Sequence, residues 1–262
     1  MKIKIITLFP SMYEGFVSES IIKRAIEKNV VSVELIDMRD YSLNKHRHVD
    51  DTPYGGGAGM VLAVDVVDRA IKANSTNESY KILMTPQGKT YSQAKALELS
   101  KMEEIVIICG HYEGFDERVR DYVDDEISIG DYVLTGGELA SMVVADSVIR
   151  LLDHAIKQES YEEDSFSMGL LEYPQYTRPL VYDGKEVPAV LVNGNHKLIN
   201  EYRKKEALRK TLLRRPDLLE NYSLSKEEEK LLKIVKEEEK LREKLEFYNI
   251  YLLCLISMVL VH

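Results

Sequence analysis

Three short segments carry glycine together with polar, aromatic or carboxylate residues directly after apolar runs. They are Thr85–Pro86–Gln87–Gly88, Gly110–His111–Tyr112–Glu113–Gly114 and Gly130–Asp131–Tyr132–Val133–Leu134–Thr135–Gly136–Gly137. Glycine lets a backbone approach a ligand closely, and such a loop presents N–H and C=O groups to it. One such loop is explained by a turn, where Gly is the default residue. Three of them point to one crevice at the carboxyl edge of a parallel sheet. The cluster Tyr54–Gly55–Gly56–Gly57–Ala58–Gly59–Met60 is not a phosphate cradle. No Gly-Lys-Ser/Thr follows it, and the dinucleotide pattern read from Gly57 needs a small residue where Leu62 stands. An adenine with its sugar, read by backbone amides and carbonyls, suits the three loops better than a pyrophosphate on a helix N-terminus.

The apolar runs before the loops are the elements that must position them. Ile3–Phe9, Val31–Met38, Tyr80–Met84, Glu104–Cys109 and Glu126–Ile129 read as strands. Between them Met12–Lys28, Val61–Ala73, Ser92–Leu99 and Phe115–Tyr122 read as helices, and Glu138–Leu152 as a long one. This alternation predicts an α/β fold, a parallel sheet with helices on both faces. The polar run from Glu159 to Ser165 reads as a linker. Beyond it, Asn195 is placed to cap a helix ending at Arg215, because Pro216 follows. The expected division is a domain over residues 1–158, a linker over 159–170, a small C-terminal helical domain over 171–246 and an apolar tail over 247–262.

At 262 residues, with 45% apolar and 30% charged residues, the chain is globular. Its two cysteines, Cys109 and Cys254, sit in separate apolar runs, as buried thiols of a reducing compartment do. No signal-peptide pattern opens the chain, which suits a cytoplasmic protein. His46 and His48 sit in a polar loop, where solvation explains them better than a metal. The apolar stretch Ile250–Val261 falls short of the about 20 residues a membrane span needs. It reads as a helix packed on protein or an oligomer contact.

Charge is uneven. Lys197–Arg215 holds eight Lys/Arg against two Glu, or +6, which leaves −15 for the rest of a chain at −9. On a helical wheel Arg203, Lys204, Lys210 and Arg214 share one side, while Leu198, Tyr202, Leu212 and Leu213 share the other. A basic face on an acidic protein predicts contact with a polyanion such as an RNA backbone, with Lys197 at its start. Lys226–Glu246, with seven basic and eight acidic residues, reads as an ordinary salt-bridged helix.

Together these segments resemble the bacterial tRNA (guanine-N1)-methyltransferases of the SPOUT superfamily. Further blocks carry the resemblance: Tyr13–Phe16 with Ser20–Ala25, Arg39–Tyr41, Val49–Asp51, Glu163–Asp164–Ser165–Phe166, Pro174–Pro179 and Gly194–Asn195–His196. The resemblance runs from Met1 to about Lys240. It implies a deep trefoil knot, which periodicity cannot reveal, and a homodimer with a shared active site. It implies S-adenosylmethionine as methyl donor, held by Met84, Thr85, Pro86, Gln87, Gly110, Tyr112, Glu113, Gly114, Ile129, Gly130, Asp131, Tyr132, Val133, Leu134, Gly136 and Gly137. The implied substrate is tRNA, methylated at N1 of the guanosine just 3′ of the anticodon, with bound Mg²⁺ where carboxylates gather. Asp164 would be the general base and Arg150 the stabiliser of charge on O6. Without the resemblance, Asp164 reads as the cap of a helix starting near Phe166, and Arg150 as a cation ending one. Ala140 and Thr85 stand where the family commonly has proline and serine; neither change removes a backbone contact. Rival readings are another SPOUT RNA methyltransferase and a non-catalytic RNA-binding relative. The Glu163–Phe166 and Tyr176–Pro179 blocks speak against the first, and Asp164 with Arg150 against the second.

Overall fold

A computed structural model describes residues 1–155, 165–166 and 169–259, with backbone alone at 246 and from 249 on. The chain divides into two compact units, 1–161 and 162–262.

The first unit is built on β1 (Lys2–Thr7), β2 (Ser32–Asp37), β5 (Tyr80–Thr90), β6 (Glu104–Cys109) and β7 (Asp125–Ser128). They form one parallel sheet in the order β2-β1-β6-β5-β7. Ile3, Ile5, Ile82, Ile105 and Ile107 face one core, and Ile6, Leu83, Val106 and Ile108 face the other. Both faces are therefore apolar, which explains the near-continuous Ile/Val/Leu runs. The first face packs against α2 (Ser20–Glu27) and α5 (Glu138–Ile149). The second packs against α3 (Val64–Asn74). The short ribbon β3 (Asp50–Asp51) with β4 (Val61–Leu62) brackets the glycine-rich loop.

Several expectations need adjustment. The Met12–Lys28 helix is broken: a 3-10 turn at Pro10–Tyr13 and α1 (Glu14–Ser18) precede α2. Glu19 is extended and Ser20 takes φ 55°, so no single helix passes through them. Val61 and Leu62 pair with Asp51 and Asp50, which delays α3 to Val64. Phe115–Tyr122 is not an α-helix but a 3-10 segment, Glu117–Tyr122, started by the Asp116 carboxylate accepting from the Arg118 amide. Ser92 caps α4 (Gln93–Leu99) by accepting from Lys95 N.

The second unit holds a hairpin, β8 (Val181–Tyr182) and β9 (Lys185–Glu186), turned by Asp183 and Gly184 at φ 50° and 72°. Positive φ at both central residues is what an Asp-Gly hairpin turn supplies. Then come α6 (His196–Arg214), α7 (Pro216–Glu220) and α8 (Lys226–Val259). Asn195 caps α6 as expected, accepting from Lys197 N and Leu198 N at 3.1 and 3.3 Å. Pro216 both stops α6 and opens α7. The small core is Leu170, Leu208, Leu231 and Leu232. The apolar tail continues α8 as far as Val259. Among the described residues no helix is long and apolar enough to cross a membrane.

Candidate functional site

Order β6-β5-β7 sets three strand ends side by side, and their loops enclose one cavity of about 300 Å³. The first loop is a bulge. β5 pairs with β7 through Met84↔Ile127, then resumes at Lys89↔Ile127, so Thr85–Gly88 is extruded toward the cavity. Gly88 closes the bulge: a Cβ there would lie 2.5 Å from the Ile127 amide nitrogen. The second loop follows β6. Tyr112 sits at φ 58°, a left-handed conformation costly for a tyrosine and concentrated at ligand sites. The third loop ends at Gly137, whose amide donates to Gly110 O at 2.8 Å. A Cβ on Gly137 would lie 2.9 Å from Cys109 Cα. The second and third loops are thus held in backbone contact.

Every residue expected to hold the donor lines this cavity except Asp131. The walls also include His111, Phe115, Glu117, Arg120, Ser128, Thr135 and Ala140, which the motif reading omitted. Arg120 reaches Glu126 and Gln87, and binds Glu117 at 2.9 Å, so it ties the 3-10 segment to the first loop. Gly59 abuts Glu113, whose amide donates to Met60 O at 3.0 Å. The glycine-rich loop, dismissed as a phosphate cradle, therefore buttresses the second loop.

Beneath the cavity lies a buried polar group that sequence reading missed. Glu138, 2% exposed, accepts from Thr7 Oγ1 at 2.8 Å. Its other oxygen is 3.9 Å from His111 Nδ1, a buried atom with no hydrogen-bond partner among the described residues. Tyr13 OH meets Ser141 Oγ at 2.6 Å, and Ser141 Oγ donates to Glu138 O at 2.7 Å. Burial pushes the Tyr13 phenol well above its ordinary value and the Cys109 thiol up to about 12, so both stay protonated. A carboxyl opening a mostly apolar helix was the available signal.

Asp164 lies outside the described residues. The helix it might have capped does not start at Phe166: that residue is at φ 72° in a tight turn, with Gly169 N donating to Phe166 O at 3.2 Å. Arg150 is the C-cap of α5. Ala140 touches the cavity near the opposite end of this helix, roughly 15 Å away at about 1.5 Å per residue. The structure does not bring Arg150 to this cavity. On α6, Lys197, Arg203, Lys204, Lys210 and Arg214 lie along one helix. Lys204 pairs with Glu227 at 3.2 Å, and Lys205 and Arg209 bind Glu238 and Glu239, so α8 offsets part of the basic charge. The Lys226–Glu246 helix thus spends acidic residues on α6, not only on itself. Leu198 and Leu213 are exposed; α6 instead buries Ala207, Leu208 and Thr211. Among the described residues no three His, Cys, Asp or Glu side chains gather to hold a metal, so the implied Mg²⁺ has no ligand set there.

A parallel sheet whose adjacent strand ends carry a glycine-walled cavity defines an α/β protein that holds a small ligand in its loops. Comparison with known proteins narrows the class. The family model described as tRNA (Guanine-1)-methyltransferase TrmD matches residues 1–221. The tRNA (guanine-N(1)-)-methyltransferase of Anoxybacillus flavithermus is 55% identical over 246 residues, covering 92% of this chain and 100% of its own. That of Fusobacterium nucleatum is 56% identical over 241 residues, 91% of this chain and 100% of its own. The chain belongs to the tRNA (guanine-1)-methyltransferase family.

Proposed function

We propose that this protein transfers the methyl group of S-adenosylmethionine to N1 of a guanosine in tRNA, the one directly 3′ of the anticodon. The observation that carries the reading is the cavity at the ends of β5, β6 and β7, in a chain that belongs to this family. The fit to the donor rests on that wall. Gly110, Gly130, Gly136 and Gly137 keep side chains out of it, so main-chain groups face an adenine and ribose. S-adenosylmethionine supplies an electrophilic methyl when bound. Met84–Gln87 with Ile129, Gly130 and Tyr132–Leu134 hold its nucleoside, and Tyr112 and Glu113 bound the space beside it.

The protein must remove the N1 proton and stabilise negative charge on O6. Asp164 takes the proton as general base, and the Arg150 guanidinium faces O6. Arg150 cannot serve its own cavity from the far end of α5, which supports a site completed by a second copy. Two features of α5 agree. Leu139 and Val143, one turn apart, are 52% and 48% exposed. Exposed apolar side chains one turn apart form a stripe that a partner surface can cover. We read the donor loops as the trefoil knot of the family and the chain as a homodimer. The basic residues of α6 bind tRNA.

The test is methyl transfer from tritiated S-adenosylmethionine to an unmodified tRNA transcript, followed by nucleoside analysis. We expect 1-methylguanosine at the anticodon-adjacent position. Ribose methylation, or no product, overturns the reading.

A further inference from the structure

We propose that a cavity in the second unit holds one unstacked nucleotide of the tRNA. The proposal rests on the reading that this protein acts on tRNA, and goes beyond it by assigning a base-binding site to named residues. The cavity measures about 490 Å³ and lies between the Tyr173–Leu180 segment, the Val187–Val192 stretch and the first turns of α6. A pocket of this size is of the order that takes a small organic ligand.

The lining selects the ligand. Arg178 and Arg203 contribute two guanidinium groups, and neither Asp nor Glu lines the cavity, in a chain whose net charge is −9. Leu191 and Ile199 supply apolar wall, and Tyr176, 48% exposed, supplies an aromatic face at the opening. A ligand that matches must be anionic at one end and flat and apolar at the other. A nucleotide has that chemistry: unpaired bases stack on aromatic and guanidinium planes while arginine takes the phosphate.

Two observations indicate that the site is built before the ligand arrives. The Arg203 guanidinium lies over the Tyr173 ring, 4.7 Å from its centroid, which holds it in place beside the cavity. The Tyr202 phenol on α6 lies close enough to Tyr176 to interact with it electrostatically, so α6 flanks the ring. One hydrogen bond is left unmade. Arg203 Nε is buried and has no acceptor among the described residues. Buried donors are nearly always satisfied, so a small turn of this side chain toward an incoming acceptor would complete it. The wheel reading placed Arg203 with the phosphate-contacting residues; its surroundings make it part of a pocket.

The experiment uses the full chain and full-length tRNA. Transcripts are assembled with a single abasic nucleotide at each position the wild-type protein protects from hydroxyl radicals. Affinities are then measured for wild type, Arg203→Met and Tyr176→Leu. We expect one abasic position to weaken wild-type binding by about tenfold or more, the scale of one stacked base. The same change should cost the two variants less than about twofold, because they have already lost the platform. Should Arg203→Met melt early, the exposed Tyr176→Leu carries the test. Equal losses in wild type and variants at every position overturn the pocket while leaving tRNA binding intact. Displacement of tRNA from wild type by hepta-glutamate, with no effect on the variants, also overturns it and assigns the cavity to acidic peptides. A wild-type protein that binds no tRNA sinks both readings.

Discussion

Gly137→Ala is the sharpest test of how the donor cavity is shaped. Gly137 has φ −80° and ψ −5°, a backbone alanine adopts freely, so the change is purely steric. The added methyl would lie 2.9 Å from both Cys109 Cα and Gly110 N, and 3.2 Å from Cys109 Cβ. None of these can swing away, because β6 is bonded to β1 on one side and β5 on the other. Overpacking of this kind costs about 1–3 kcal/mol. Separation also breaks the 2.8 Å bond from Gly137 N to Gly110 O, worth about 0.5–1.5 kcal/mol. The sum is roughly 2–4 kcal/mol.

Where that strain goes decides the phenotype. α5 is anchored by Val144, Val148 and Ile149 in the core and by Tyr13 on Ser141. The softer partner is the Gly110–Gly114 loop, which is a cavity wall. If half the strain falls on the donor-competent loop arrangement, S-adenosylhomocysteine binding weakens about 5- to 30-fold at about 1.4 kcal/mol per decade. The rest appears as a melting temperature lower by about 3–8 °C. Calorimetric titration and thermal melts read the two parts. Gly15→Ala is the control: nothing lies within 4 Å of its added Cβ, so it should be neutral or slightly stabilising. Wild-type affinity together with a wild-type melt in Gly137→Ala would refute the claim that this contact sets the cavity wall.

Three further outcomes are expected. Asp164→Asn should lower single-turnover methyl transfer by about 10²–10⁴ with little change in donor affinity; near-wild-type chemistry would mean that another group is the base. Mixing Asp164→Ala with Gly110→Val subunits should recover activity in heterodimers, and demonstrable mixed dimers without activity would exclude a shared site. At the far edge of the sheet, the Ser79 hydroxyl and Lys4 ammonium, the latter 3.1 Å away, hold the Glu104 carboxyl below its ordinary value of 4.5. A depressed folded pKa adds stability above the unfolded value that is lost as pH falls through the folded one. Glu104→Gln should therefore cost about 1 kcal/mol at pH 7, with the difference closing below pH 4.5. A gap that persists at pH 3 would assign the effect to packing.

The strands and the three loops were legible because each is a local signal: a buried apolar run, then glycines at its end. Four strands agree with expectation to within about two residues; β5 runs six residues past the expected Met84 because it resumes pairing with β7 after the bulge, and fifteen of the sixteen donor-loop residues line one cavity. Asp131 alone of the sixteen is absent from the cavity lining, although Gly130 and Tyr132 on either side of it are present. Arg120 was illegible because its role is to bridge Gln87 and Glu126, a relation that exists only once β5 and β7 are paired. The Met12–Lys28 helix failed for a different reason. Its apolar spacing is genuine, since Tyr13, Ile22 and Ala25 are all buried, but two short pieces at different angles satisfy it as well as one long piece.

The buried polar group under the cavity explains why loops of such flexible composition can hold one shape. Ser141 commits its hydrogen to Glu138 O, so Tyr13 must be the donor to Ser141, and its raised pKa keeps that proton in place. Thr7 likewise donates to Glu138 and accepts from Phe9 N at 3.0 Å. Each bond joins a different element: the end of β1, the Pro10–Tyr13 turn and the first turn of α5. An apolar core of equal volume would exclude water as well, but it would not fix which residue faces which. Here a shift of α5 by one residue would strand a carboxyl and two hydroxyls without partners, each costing about 1–3 kcal/mol. The glycines supply closeness and the hydrogen bonds supply register. His111 is the remaining loose end, its Nδ1 still 3.9 Å from Glu138 on the cavity wall, where a small closing movement of the second loop would complete the set.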